Sequence, residues 1–194
     1  IQLNTTTTYW AFYAAQNGSS ATTQGIELEY DRTFGKGWRM NLGYAYTKGE
    51  LDSVMWSADG VYIVAPKGNT LPGLAEHTVN AMLENAFELN NGWLWVNRLS
   101  GYYQSETNNS ISETSAALSA TMGSFSLWDF NSNLVINNWT VGLFVKNLFN
   151  EEGVVGIYKE EYMGTSPEQN YYGNGSKNII ARPRTVGVSA TWNF

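Results

Sequence analysis

Cysteine is absent from the 194 residues, histidine occurs once and proline four times. Without thiols no disulfide framework or thiolate metal centre can form, and with His77 as the single imidazole neither a zinc nor a haem site is expected, nor any other bound cofactor. Charge is scarce as well. Asp, Glu, Lys and Arg make up 14% of the chain, against ~25% in an ordinary soluble domain. The net charge is -6 and the 11 basic residues are scattered, so there is no clustered footprint for nucleic acid. Long apolar runs are missing too. Nothing approaches the ~18 residues of a membrane-crossing helix, and mean hydropathy is -0.30. The chain opens Ile1-Gln2-Leu3-Asn4-Thr5, with neither an initiator Met nor a charged region leading into an apolar one, and reads as a processed product or a fragment.

What is present in quantity is aromatic: 8 Trp, 12 Tyr and 8 Phe, together 14% of residues, alongside 19 glycines. The length suits one domain of ordinary size. From Trp38 to Tyr46 every even position is large and apolar (Trp38, Met40, Leu42, Tyr44, Tyr46), and the odd ones are Arg39, Asn41, Gly43 and Ala45. Period two means strand. The preceding segment sets Ile26, Leu28, Tyr30 and Phe34 against Glu27, Glu29, Asp31 and Thr33, and Gly35-Lys36-Gly37 joins the two as a hairpin. The pattern returns around Val79 to Leu89, Trp93 to Gln104, Trp128 to Ile136 and Val141 to Val145. In the last segment Val186, Val188, Ala190, Trp192 and Phe194 share one face. Seven strands of about 10 to 15 residues are expected, with Ile1 to Tyr13 supplying one more or the end of one, and no helix. The connections alternate: 34–38, 89–93 and 136–139 are tight, whereas 48–73, 106–123 and 150–180 are long.

Alternating strands of ~10 residues, short turns on one side, long loops on the other and aromatic girdles at both rims are together the pattern of an antiparallel transmembrane β-barrel. Five of the eight tryptophans (Trp38, Trp93, Trp95, Trp139 and Trp192) lie beside a tight turn or the chain end. With Phe34 and Phe194 they form a periplasmic belt, because amphipathic rings favour the headgroup level. The polar parity, with Glu27, Glu29, Arg39, Arg98, Asp129 and Lys146, then lines the lumen. A soluble sandwich would show the same alternation with the apolar face turned into a shared core, but it gives no reason for aromatics to gather at strand ends.

The closing residues Val186, Val188, Ala190, Trp192 and Phe194 resemble the terminal signal that the barrel-assembly machinery reads in outer-membrane proteins. Four further segments follow in order: Gly25-Ile26-Glu27-Leu28-Glu29-Tyr30, Gly68-Asn69-Thr70-Leu71-Pro72 leading into Glu76-His77-Thr78, Lys146-Asn147-Leu148-Phe149-Asn150, and Arg182-Pro183-Arg184-Thr185-Val186-Gly187-Val188. Together they resemble the C-terminal third of a TonB-dependent outer-membrane receptor, over about residues 17 to 194. The resemblance implies seven or eight strands of a 22-stranded plugged barrel in the bacterial outer membrane. The plug and the box that contacts the energy-coupling TonB protein would lie in a missing N-terminal part, so residues 1–194 would be the C-terminal part of the barrel domain. The implied activity is import of a scarce, bulky nutrient, a ferric siderophore first, with cobalamin, haem or carbohydrate as others; no catalysis is implied. The loop aromatics Trp56, Tyr62, Tyr158, Tyr162, Tyr171 and Tyr172 are the candidate ligand contacts, since they can stack on or hydrogen-bond a flat molecule. The same rings would alternatively form the outer girdle or pack the loops together.

Other constellations are weaker. Glu27, Glu29 and Asp31 share a strand face as an acid/base pair would, yet a lumenal acidic stripe needs nothing further. His77 carries the apolar parity beside a long loop, an interfacial position. A free-standing eight-stranded barrel with a structural, adhesive or lipid-modifying role is the main alternative. Such a barrel is filled by side chains, whereas Gly43, Ala45, Gly142, Gly187 and Ser189 on the inward parity are too small to fill one.

Overall fold

The computed structural model describes residues 19–57, 60–111, 119–159 and 176–194. These residues form thirteen strands and no helix. In chain order they are β1 (Ala21–Phe34), β2 (Trp38–Leu51), β3 (Met55–Trp56), β4 (Ile63–Ala65), β5 (His77–Glu88), β6 (Leu94–Gln104), β7 (Thr107–Asn108), β8 (Thr121–Met122), β9 (Phe125–Ile136), β10 (Trp139–Lys146), β11 (Val154–Lys159), β12 (Ser176–Ile180) and β13 (Thr185–Trp192). Seven of them make one antiparallel sheet in the order β1-β2-β5-β6-β9-β10-β13. The remaining six pair as short hairpins, β3-β4, β7-β8 and β11-β12, inside the three long connections. The seven wall strands match the alternation seen in the sequence, although β10 and β13 hold only 8 residues each. Ile1 to Tyr13 lies outside the described residues.

Cross-strand register carries each strand's parity through the whole sheet. Met40 faces Leu83, Leu83 faces Leu99, Leu99 faces Phe130, Phe130 faces Val145 and Val145 faces Val186. One row lower in parity, Thr33 faces Arg39, Arg39 faces Glu84, Glu84 faces Arg98 and Arg98 faces Asn131. The sheet therefore has one apolar and one polar side, and a slip of one residue in any strand would reverse it.

The apolar side has no second layer over it. Ile26 keeps 61% of its surface exposed and Val188 80%, values incompatible with the shared core of a sandwich. The buried apolar residues Leu51, Ala65, Met122, Phe125 and Ala181 all lie at the loop end of the sheet. There Leu71 and Leu74 pack where a side chain on Gly49 would stand. A strand such as β6, 11 residues long, rises about 26 Å at ~3.3 Å per residue and a tilt of ~45°, enough for the ~25 Å apolar band of a barrel.

At the opposite end the turns are tight because their residues accept left-handed backbone. Gly35 and Gly37 take φ of 57° and 75°, and Asn137 in the β9-β10 turn takes 50°. The Gly37 carbonyl also accepts the Ala86 N–H at 2.7 Å, tying the first hairpin to β5. Rings gather at this end: Phe34 on Trp38 at 6.3 Å, Phe87 on Trp95 at 5.2 Å, Trp139 on Trp192 at 6.2 Å, and Trp192 on Phe194 at 5.3 Å between centroids.

Candidate functional site

The polar side is a ladder of alternating charge near the tight-turn end. Arg39 meets Asp31 at 2.9 Å, and Asn41 also donates to Asp31 at 3.3 Å. Register sets Arg39 beside Glu84, and Glu84 accepts Arg98 Nε at 2.8 Å. Four strands thus contribute Asp, Arg, Glu and Arg in sequence, each charge beside its opposite. The two arginine side chains remain about half exposed, at 52% and 53%, so the ladder is open to water or to further protein. Glu27 and Glu29 stand higher on the same side, opposite Ala45 and Gly43, where small partners leave the wall recessed. Lys146 stands opposite Thr185 on this side.

Asp129 has a second role that periodicity does not reveal. Its carboxylate accepts the backbone N–H of Asn147 at 2.9 Å. Asn147 is 5% exposed in left-handed backbone, φ 50°. Its Nδ2 donates to the carbonyls of Glu151 at 2.9 Å and Arg182 at 2.8 Å, while Oδ1 accepts the Glu151 N–H at 2.9 Å. The Asn150 side chain in turn accepts the Arg184 N–H at 3.0 Å. One amide therefore fastens both stalks of the β11-β12 hairpin to the top of β10. Asn147 was visible in the sequence only as part of a resembling segment; the signal that could have marked it is the density of Asn, a residue tolerant of left-handed backbone.

Among the described residues, the loop aromatics stand on two of the loop hairpins. Trp56 and Tyr62 share the β3-β4 hairpin and are exposed, and Tyr158 lies on β11, also exposed. Tyr162, Tyr171 and Tyr172 lie outside the described residues. The loops lean on each other through one backbone and two side-chain hydrogen bonds: Gly73 N–H to the Asn108 carbonyl at 2.8 Å, Asn69 Nδ2 to the Ile111 carbonyl at 2.5 Å and Asn109 Nδ2 to the Ile157 carbonyl at 3.3 Å. His77 sits at the loop end of the apolar side, between Tyr44 and Tyr46, with centroids 6.1 and 5.3 Å away, and Nδ1 lies 2.9 Å from the Tyr44 hydroxyl. Above it Lys48 meets Glu50 at 2.8 Å. No group of three or more metal-ligating side chains occurs among the described residues.

A single antiparallel sheet, apolar on one side and polar on the other, with tight turns below and folded loops above, is the wall of a transmembrane β-barrel. The family model described as TonB dependent receptor-like, beta-barrel matches residues 1–148, and the chain belongs to that family. Among solved structures it is similar to the ferric yersiniabactin uptake receptor FyuA of Yersinia pestis, with 17% identity and a TM-score of 0.70 over 92% of this chain and 24% of that one. The likeness is one of fold, and the chain spans about a quarter of that receptor's length. No curated protein matches.

Proposed function

We propose that the chain is the C-terminal part of the barrel domain of an outer-membrane receptor that imports a scarce, bulky nutrient, a ferric siderophore, using energy delivered by TonB. The observation that carries this is the seven-strand wall itself, apolar outside and polar inside, in a chain of the TonB-dependent receptor barrel family. The fold neighbour named as a ferric yersiniabactin uptake receptor supports the choice of cargo. In this reading Glu27, Glu29, Arg39, Arg98, Asp129 and Lys146 line the lumen, and Trp56, Tyr62, Tyr158, Tyr162, Tyr171 and Tyr172 meet the ligand from the loops. A plug and a TonB-contacting box precede the segment in the whole receptor. Val186, Val188, Ala190, Trp192 and Phe194 present the assembly machinery with an apolar, aromatic-ended edge. The role is transport, not catalysis.

The test is uptake of a panel of radiolabelled ferric siderophores, with cobalamin, haem and oligosaccharides beside them, by cells with and without the whole receptor. The expected result is loss of one ferric siderophore on deletion, dependent on TonB. Unchanged siderophore uptake with loss of another nutrient would overturn the cargo, and uptake that persists without TonB would overturn the energy coupling.

A further inference from the structure

One polar row interrupts the apolar side of the sheet. On the β5-β6 hairpin that side runs from the Phe87-Trp95 pair at the tight-turn end to the Val79-Tyr103 pair at the loop end, and between them Asn85 faces Asn97. Register extends the row, with Trp38 opposite Asn85 and Ser132 opposite Asn97. From Trp95 to Tyr103 the strand climbs about 19 Å at ~3.3 Å per residue and a tilt of ~45°, less than the ~25 Å apolar band of a barrel. Both amides therefore stand in hydrocarbon, about 5 Å past the Phe87-Trp95 rings. Neither has a hydrogen-bond partner among the described residues. Rings in a belt ordinarily turn their polar edge to the headgroups, yet the Trp95 indole donates Nε1–H to Ser132 at 2.8 Å, one rung farther from the tight turns.

We infer that this row is the contact face for a second copy of the receptor, the two copies related by a two-fold axis parallel to the membrane normal. This rests on the outer-membrane reading above. A primary amide donates and accepts at once, so a row of amides is complementary to itself. Self-complementarity is the condition for an isologous contact, in which the same patch serves both partners. A two-fold axis along the normal preserves depth in the membrane, so the two rows meet at one level. Amides that pair across such a contact escape the cost of standing unpaired in hydrocarbon. The row carries no charge and so offers no counter-ion to a phosphate or an ethanolamine. It also lies on the hydrocarbon side of the rings that mark the headgroup level. Around it Leu83, Leu143 and Val188 are exposed, an apolar margin that a second wall can cover.

The experiment measures the mass of the whole receptor, extracted from outer membranes in mild detergent, by sedimentation equilibrium over a range of protein concentrations. Wild-type receptor is expected at twice the monomer mass. In the double variant Asn85→Leu with Asn97→Leu, whose apolar side chains suit a wall in lipid, the dimer dissociation constant rises at least about tenfold. That is the scale of two or three hydrogen bonds lost within a membrane, and the heat-modifiable barrel band is unchanged. A second variant, Asn97→Trp, blocks the approach with a ring that lipid accepts and is expected to be monomeric. Monomeric wild type, or a dimer equally tight in either variant, overturns the proposal. A co-purifying protein of another kind that the leucine variant loses overturns it in favour of a foreign partner. Phospholipid retained by monomeric wild type and lost from that variant overturns it in favour of a lipid site. Absence of a heat-modifiable band in the outer-membrane fraction for wild type would instead sink the functional reading on which the proposal stands.

Discussion

Asn147 shows how much one side chain can organise when its backbone conformation and all its amide atoms are used together. Replacement by Asp keeps the size but sets a carboxylate against the Glu151 and Arg182 carbonyls that Nδ2 now serves. The expected cost is about 2–4 kcal/mol, from two lost bonds to part-buried acceptors. Surface-applied protease on intact cells, expected to cut the β11-β12 hairpin about 5- to 30-fold faster for half of that energy, is the check. Glu84 and Arg98 make the opposite case. Their contact is close, yet the arginine side chain is 53% exposed, so a double-mutant cycle should return only about 0.2–1 kcal/mol. A coupling well above that range would mean that other protein covers the ladder in the whole receptor. Periodicity alone located Glu84 and Arg98 on one face, because parity is local. The Asn147 bonds were not legible, since Arg182 lies 35 residues away and nothing in the intervening sequence sets that approach.

Each wall strand has two faces in different solvents, and this dictates which substitutions it tolerates. Leu42 stands on the apolar side, opposite Tyr30 and Ala81, while Asn80 stands on the polar side, opposite Gly43 and Tyr102. Leu42→Arg should cost about 2–4 kcal/mol near the middle of the lipid band, and Asn80→Arg close to nothing. The amount of folded receptor in outer membranes, compared for the two variants, measures the difference. Equal yields would mean that the sheet's sides are not in lipid and water. Close packing between strands is equally directional. Gly101 lies under the Trp128 ring, where an added Cβ would come within 2.6 Å of it. Gly101→Val should displace that ring at about 1–3 kcal/mol, seen as a lower midpoint in urea unfolding of the whole barrel. The short hairpins within the loops escaped the sequence reading because two-residue strands such as Thr107–Asn108 and Thr121–Met122 carry no periodicity to detect.

For the molecule as a whole, the governing quantity is the pair of open edges. β1 and β13 stand at opposite ends of the sheet, so among the described residues each has one side without a strand partner. In hydrocarbon every unpaired backbone group there costs several kcal/mol, and barrels avoid it by closing. Residues 1–194 produced alone should therefore give no compact, heat-modifiable monomer in detergent. A sharp shifted band on an unheated gel at this chain's mass would refute that expectation and favour the small-barrel alternative. Cross-strand register also pairs the girdle rings at the tight-turn end: adjacent strands bring Trp139 and Trp192 together, forming a belt that no single strand could make.

By itself the sequence determined the strands, their parity and the tight turns. These depend on local backbone sterics and on the difference between water and lipid, both written residue by residue: Glu27 beside Leu28, Gly35 and Gly37 around Lys36. It also carried the family resemblance. Tertiary structure alone decided that the apolar side has no second layer, that the loops fold into small hairpins over Leu51 and Phe125, that Asn147 fastens one of them, and that Asn85, Asn97 and Ser132 stand in one row. Those features join residues far apart in the chain. Their energies arise only once register has brought the partners within hydrogen-bonding distance, so no local pattern announces them.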